Sequence, residues 1–157
     1  MNKETHYEQV LSQVQSLCEG ETDLIAKMAN VSALLHQEFG FWWTGFYRVM
    51  PVATPTDLQP QTTELVLGPF QGPLACVHIG YGRGVCGTAW AEARSQVVPD
   101  VDQVPGHIAC SSASRSEIVV PLMREGEVVG VLDIDSEKLS TFDETDRLWL
   151  ERIAEII

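Results

Sequence analysis

The strongest constraint on this chain's fold is the stretch SEIVVPLMREGEVVGVLDID, residues 116–135. Two segments rich in β-branched residues, Glu117–Arg124 and Val128–Asp135, are separated by a Glu125-Gly126 turn. A short turn of this kind needs positive φ, which glycine supplies, and it closes a hairpin. Pairing around it commits the chain to an antiparallel sheet and sets Glu117 opposite the Asp133/Asp135 end. Period-2 alternation places Val128, Gly130, Leu132 and Ile134 on one face of the second strand. Val129, Val131, Asp133 and Asp135 fall on the other.

Other elements follow from periodicity and punctuation. Thr5-x-x-Glu8 reads as a capping box, and Tyr7, Val10, Leu11, Val14, Leu17 and Cys18 continue at helical spacing. After Gly20, a second helix is expected over 22–39, with Leu24, Met28, Val31 and Leu35 on one face and Gly40 as its stop. The run FWWTGFYRVM, residues 41–50, reads as a strand with Trp43, Gly45 and Tyr47 on one face and Trp42, Thr44 and Phe46 on the other. The segment 51–60 holds three prolines and reads as an exposed loop. Residues 64–67 and 74–79 suggest short strands, and GYGRG a turn into a helix over 85–93. Residues 96–98 suggest another short strand, and 100–116 a loop. Thr141-x-x-Glu144 is expected to cap a last helix carrying Leu148, Trp149 and Ile153. Helices at both ends and strands between them predict an α+β domain spanning 1–157, with a central antiparallel sheet, terminal helices on one face and a loop-covered pocket on the other.

At 157 residues a single sizeable core is expected. The formal charge of −12 and the scatter of its ten basic residues argue against nucleic acid or anionic membrane as partners. No apolar run approaches the roughly 20 residues of a membrane span. The first ten residues hold no apolar stretch of the signal-peptide kind, so a reducing cytoplasm is the expected setting.

The chemistry-bearing residues gather in two groups. Asp133 and Asp135 are next neighbours on one strand face, about 7 Å apart, and Glu117 joins them across the hairpin. Three converging carboxylates raise at least one pKa by mutual repulsion, giving an acid able to donate a proton near neutrality and a site attractive to an ammonium group. An acidic solvated rim is the plainer alternative. The cysteines form the second group. Cys18 sits on an apolar stripe, where packing accounts for it. Cys76, Cys86, His107 and Cys110 could supply a zinc set, although no C-x-x-C pair is present. Cys86 lies in the first turn of a helix near Arg83, a setting that lowers a thiol pKa. Cys110 stands in the polar segment GHIACSSAS, which burial as filler explains poorly. GYGRG lacks the lysine and serine of a phosphate loop. Trp43 and Tyr47 could box a ligand or simply pack in a core.

From Glu64 to Asp135 the chain closely resembles free methionine-(R)-sulfoxide reductases, small enzymes built on a GAF domain. The motifs that carry this are ELVLGPFQGPLAC, GRGVCGTAW, PGHIACSSASRSEIVVPL and GVLDIDS, together with WTGFY upstream and FDETDRLWLE downstream. The family's cysteine spacing matches Cys76, Cys86 and Cys110. The resemblance implies a GAF fold, with Cys110 as nucleophile, Cys76 as resolving cysteine and Cys86 in an auxiliary role. It further implies that Glu117, Asp133 and Asp135 hold the sulfoxide and the substrate's amino group, and that Trp43 and Tyr47 line the pocket, Trp43 near the substrate methyl. No metal or organic cofactor is implied. A Cys76–Cys110 disulfide recycled by thioredoxin, and a homodimer, are further expectations of the family. Ser111 and Arg115 replace the family's usual Asp and Asn, and 51–60 resembles an insertion. In this reading nearby carboxylates raise the resting Cys110 pKa, so its activation comes with bound substrate. The alternative is a non-catalytic GAF module that binds a small molecule or senses redox state.

Overall fold

The computed structural model describes residues 1–52, 62–106 and 113–157. Two helices lead, α1 (Lys3–Cys18) and α2 (Leu24–Phe39), followed by strands β1 (Trp43–Pro51), β2 (Thr63–Gln71) and β3 (His78–Ile79). Helix α3 (Gly84–Glu92) precedes β4 (Gln96–Val98), β5 (Ser116–Arg124) and β6 (Glu127–Ser136), and α4 (Glu144–Ile156) ends the chain. The strands form one sheet in the order β3-β2-β1-β6-β5-β4, with every neighbouring pair antiparallel. The expected α+β architecture is present.

The β5–β6 hairpin closes as its sequence requires, with Glu125 at φ 53° and Gly126 at φ 80°, the two positive angles of a type I′ turn. It pairs Glu117 with Asp135 and Ile118 with Ile134. On the far side of β6, β1 pairs Trp43 with Asp135 and Gly45 with Asp133. The aromatic strand therefore lies directly beside the acidic one.

Each face of the sheet has its own core. On one, Tyr7, Val10 and Val14 of α1, Met28, Val31 and Leu35 of α2, and Leu150 and Ile153 of α4 pack against Phe46, Ile118, Val120, Leu132 and Ile134. On the other, Val85, Cys86 and Ala89 of α3 cover Trp43, Tyr47, Leu65, Val119 and Val131. The second face is thus roofed by a helix as well as by loops.

Several expectations are corrected. The first helix is capped by Asn2, which accepts from the Thr5 amide at 2.8 Å, and not by Thr5. The last is capped by Asp143, whose box partner is Asp146. Thr141 lies two residues before that cap, and its hydroxyl donates instead to Ser136 Oγ at 2.6 Å. Asp23 caps the second helix, which begins at Leu24, two residues after the expected boundary. Leu17, which continues the apolar spacing of the first helix, and Leu148 of the last are exposed. The strand expected over 41–50 begins at Trp43. β2 runs on to Gln71, and of 74–79 only His78–Ile79 is strand. Past Leu67, β2 has no β3 residue beside it, and an edge tolerates Pro69. The 100–116 loop contains a 3-10 turn, Val101–Gln103, and Ser116 already belongs to β5. A register shift between Leu122 and Met123 places an extra residue in β6. Val129 consequently packs on the helix-side core, opposite to the alternation count. The proline-rich segment falls almost wholly outside the described residues.

Candidate active site

On the α3 side of the sheet a cavity of about 60 Å³ opens among β1, β5, β6 and α3. Its floor is the sheet. β6 supplies Asp133 and Asp135, β5 supplies Glu117, β1 supplies Trp43 and Tyr47, and α3 supplies Cys86.

The carboxylates converge because two antiparallel ladders put them there. Glu117 and Asp133 are 5% and 6% exposed, and Asp135 is half-buried. Burial, then the charges of Asp135 and Glu117, hold Asp133 well above the ordinary carboxylate range. Burial and then Glu117 do the same for Asp135, against the pull of Ser114, whose hydroxyl donates to Asp135 Oδ1 at 2.6 Å. Asp133 Oδ1 is buried and accepts no hydrogen bond among the described residues. Two neighbouring carboxyls that resist ionisation make a proton store, and an unsatisfied oxygen beside them is an acceptor waiting for a donor.

Cys86 corrects an expectation. Its thiol is raised well above its usual pKa, not lowered: burial dominates, followed by the charges of Asp133, Glu117 and Asp135. The helix N-terminus and Arg83, which is exposed, are outweighed by three carboxyls at close range. Cys86 is a free thiol that hydrogen-bonds Asp133, and as a protonated group it is the donor. Cys18 is likewise a free thiol, buried in the helix-side core as its position on the stripe implied.

The aromatic residues do more than line the cavity. Trp43 Nε1 donates to the Pro73 carbonyl at 2.9 Å, and the Tyr47 hydroxyl to the Cys76 carbonyl at 2.9 Å. Both bonds tie the loop carrying Cys76 down to β1. Burial, reinforced by Asp133, raises the Tyr47 pKa so far that it remains a donor at any physiological pH. Trp43 stacks on Phe70 at 5.3 Å and on Tyr47 at 6.1 Å. The stack passes over Gly45, where any Cβ would stand 2.6 Å from the Trp43 ring.

Among the lining residues that the sequence did not assign to the site, Trp42, Arg83 and Ser114 carry polar or aromatic side chains. Trp42, assigned to the opposite face, lines the cavity with Trp43 because the strand starts only at Trp43 and alternation does not yet apply. Arg83 lines it too, whereas Arg115, which replaces the family's usual Asn, is exposed and absent from the described lining. Ser114 was signalled only as one serine in a serine-rich run. Cys76 is half-buried next to the cavity-lining Ala75. His107, Cys110 and Ser111 lie outside the described residues, so the geometry describes neither the expected nucleophile nor the Cys76/Cys86/His107/Cys110 zinc set.

A family model for the GAF domain matches residues 31–157. GAF domain-containing protein A of Dictyostelium discoideum is 51% identical over 156 residues, covering 99% of this chain and 92% of the relative. Free methionine-R-sulfoxide reductase of Escherichia coli is 43% identical over 154 residues, covering 98% and 87%. An X-ray structure of free methionine-R-sulfoxide reductase from Neisseria meningitidis in complex with its substrate is 52% identical, with a TM-score of 0.89, covering 99% of this chain and 88% of that one. With its open antiparallel sheet and its helices, this chain has the GAF fold and belongs to the GAF-domain family of free methionine-R-sulfoxide reductases.

Proposed function

We propose that this chain is an oxidoreductase that reduces free L-methionine (R)-sulfoxide to methionine. The carrying observation is a cavity with Glu117, Asp133 and Asp135 gathered against an aromatic wall of Trp42, Trp43 and Tyr47. The carboxylates suit an ammonium group and a basic sulfoxide oxygen, and the indoles suit a methyl thioether. Arg83 at the same cavity suits the substrate carboxylate.

A sulfoxide oxygen leaves sulfur only when protonated. Glu117 or Asp135 supplies that proton while the Cys110 thiolate attacks the sulfoxide sulfur. Two electrons pass from the cysteine sulfur to the substrate sulfur, the oxygen ends on Cys110 as a sulfenic acid, and methionine leaves. The Cys76 thiol then condenses with the sulfenic acid, releasing water and forming a disulfide, and a thioredoxin-type dithiol of the cytoplasm returns both thiols by exchange. Trp43 and Tyr47 anchor the Cys76 loop throughout. Cys86 remains protonated and serves Asp133 as a hydrogen-bond donor, an auxiliary part outside the redox cycle. The carboxyl cluster keeps the resting Cys110 thiol protonated until substrate arrives, so alkylation against pH should show no resting pKa below about 6.

Thioredoxin-coupled NADPH oxidation with the separated R and S diastereomers tests this reading. Turnover of R alone, abolished in Cys110→Ser, is expected. No turnover of either isomer, with dithiothreitol in place of thioredoxin, would leave a binding module.

A further inference from the structure

Three donors of unlike chemistry meet in the floor of the cavity. The Cys86 sulfur and one carboxylate oxygen each from Glu117 and Asp133 lie within 4.8 Å of one another, all on buried residues. Asp133, 6% exposed, also keeps an oxygen that accepts no hydrogen bond among the described residues. They come from three elements, α3, β5 and β6, and so are held by the fold and not by a loop. We propose that Cys86, Glu117 and Asp133 form a binding site for a single thiophilic divalent cation of the zinc or cadmium class.

The geometry favours this class. Tetrahedral zinc ligands at 2.0–2.3 Å stand about 3.5 Å apart, so the three donors need close by only about an ångström. Three protein ligands leave the fourth position to water in the cavity, the arrangement of an open zinc site. Calcium demands more oxygen donors than are present, and neither calcium nor magnesium gains much from sulfur. One thiolate and two carboxylates offset the cation's charge, and the ion relieves the repulsion within the cluster. On binding, the Cys86 thiol proton and any proton held on the carboxylates leave to solvent. The site is distinct from the cysteine–histidine set suggested by the sequence, since it uses one cysteine and no histidine. It goes beyond the reductase reading, and only its competition with substrate rests on that reading: the ion takes the carboxylates that would hold the substrate's ammonium group, so it acts as an inhibitor.

The test is a cadmium titration of the reduced full-length chain carrying Cys18→Ala, Cys76→Ser and Cys110→Ser, which leaves Cys86 as its one thiol. A sulfur-to-cadmium charge-transfer band saturating at one ion per chain is expected, and zinc but not excess magnesium should abolish it. Adding Cys86→Ser should remove the band. Glu117→Gln, which keeps the thiol, should weaken binding more than about tenfold, with circular dichroism verifying the fold of each variant. No band, or a band that survives Cys86→Ser, overturns the proposal. L-methionine should displace the ion. If the band follows Cys86 and Glu117 but methionine leaves it unchanged, the metal site stands and the substrate assignment of the cavity fails.

Discussion

The carboxyl cluster makes Asp133 and Asp135 costly to ionise, and that cost appears in folding as well as in chemistry. Both native pKa values lie above the ordinary 3.8, chiefly through burial and then like charge. Between that value and the raised ones the folded chain holds protons that the unfolded chain has lost. The cluster's contribution is therefore complete below about pH 4 and is lost as pH rises through the native values. Asp133→Asn should melt higher than wild type at neutral pH and flatten the decline of Tm above pH 4, while turnover is lost; thermal melts across pH read both. Tyr47 acts differently, since its hydroxyl reaches the backbone of Cys76. Tyr47→Phe should leave the first reduction of substrate intact but slow disulfide closure severalfold, so that a sulfenic-acid trap captures more label. Equal trapping in the two proteins would mean that the tether does not steer Cys76.

Among the elements, the hairpin was the most legible because its information is local: a glycine turn fixes the register, and the register brings Glu117 to Asp135. The caps were less legible. Thr5 and Thr141 satisfy the capping pattern, yet Asn2 and Asp143 lie nearby with short acceptors that take the Thr5 amide and the Thr145 and Asp146 amides. Which one wins depends on where α1 meets α4: Tyr7 donates to Asp146 at 2.7 Å, and Lys3 bonds Asp143 and Asp146 at 3.1 and 2.7 Å. Sequence spacing holds no record of that meeting. Nor does alternation foresee an extra residue in a strand, which is why Val129 changed sides, or a strand beginning two residues late, which is why Trp42 did. β1 carries the tightest local requirement. Gly45→Ala would push a methyl into the Trp43 ring and Phe70. Destabilisation of about 1–3 kcal/mol is expected, with a raised KM as the indole shifts; urea unfolding and steady-state kinetics measure the two effects separately.

At the scale of the molecule, one sheet serves two purposes on its two sides. The helix face holds the larger apolar core, and the α3 face holds the cavity. Adjacent residues of β6 therefore differ in kind: Leu132 points to the helices, while Asp133 lines the cavity. Leu132→Ala should cost about 2–5 kcal/mol of stability and leave kcat/KM near wild type at low temperature, the reverse of Asp133→Asn. If Leu132→Ala lost activity in proportion to stability, the two faces would be coupled through the sheet. The same sheet ends on strands of two and three residues, β3 and β4. Where β2 outruns β3 it presents Gly68-Pro69. A passing chain would find only two or three rungs to join at either margin, and a proline where the exposed ladder is longest. The brevity of the outer strands denies a template to fibril growth, and a sheet open at both sides stays finite.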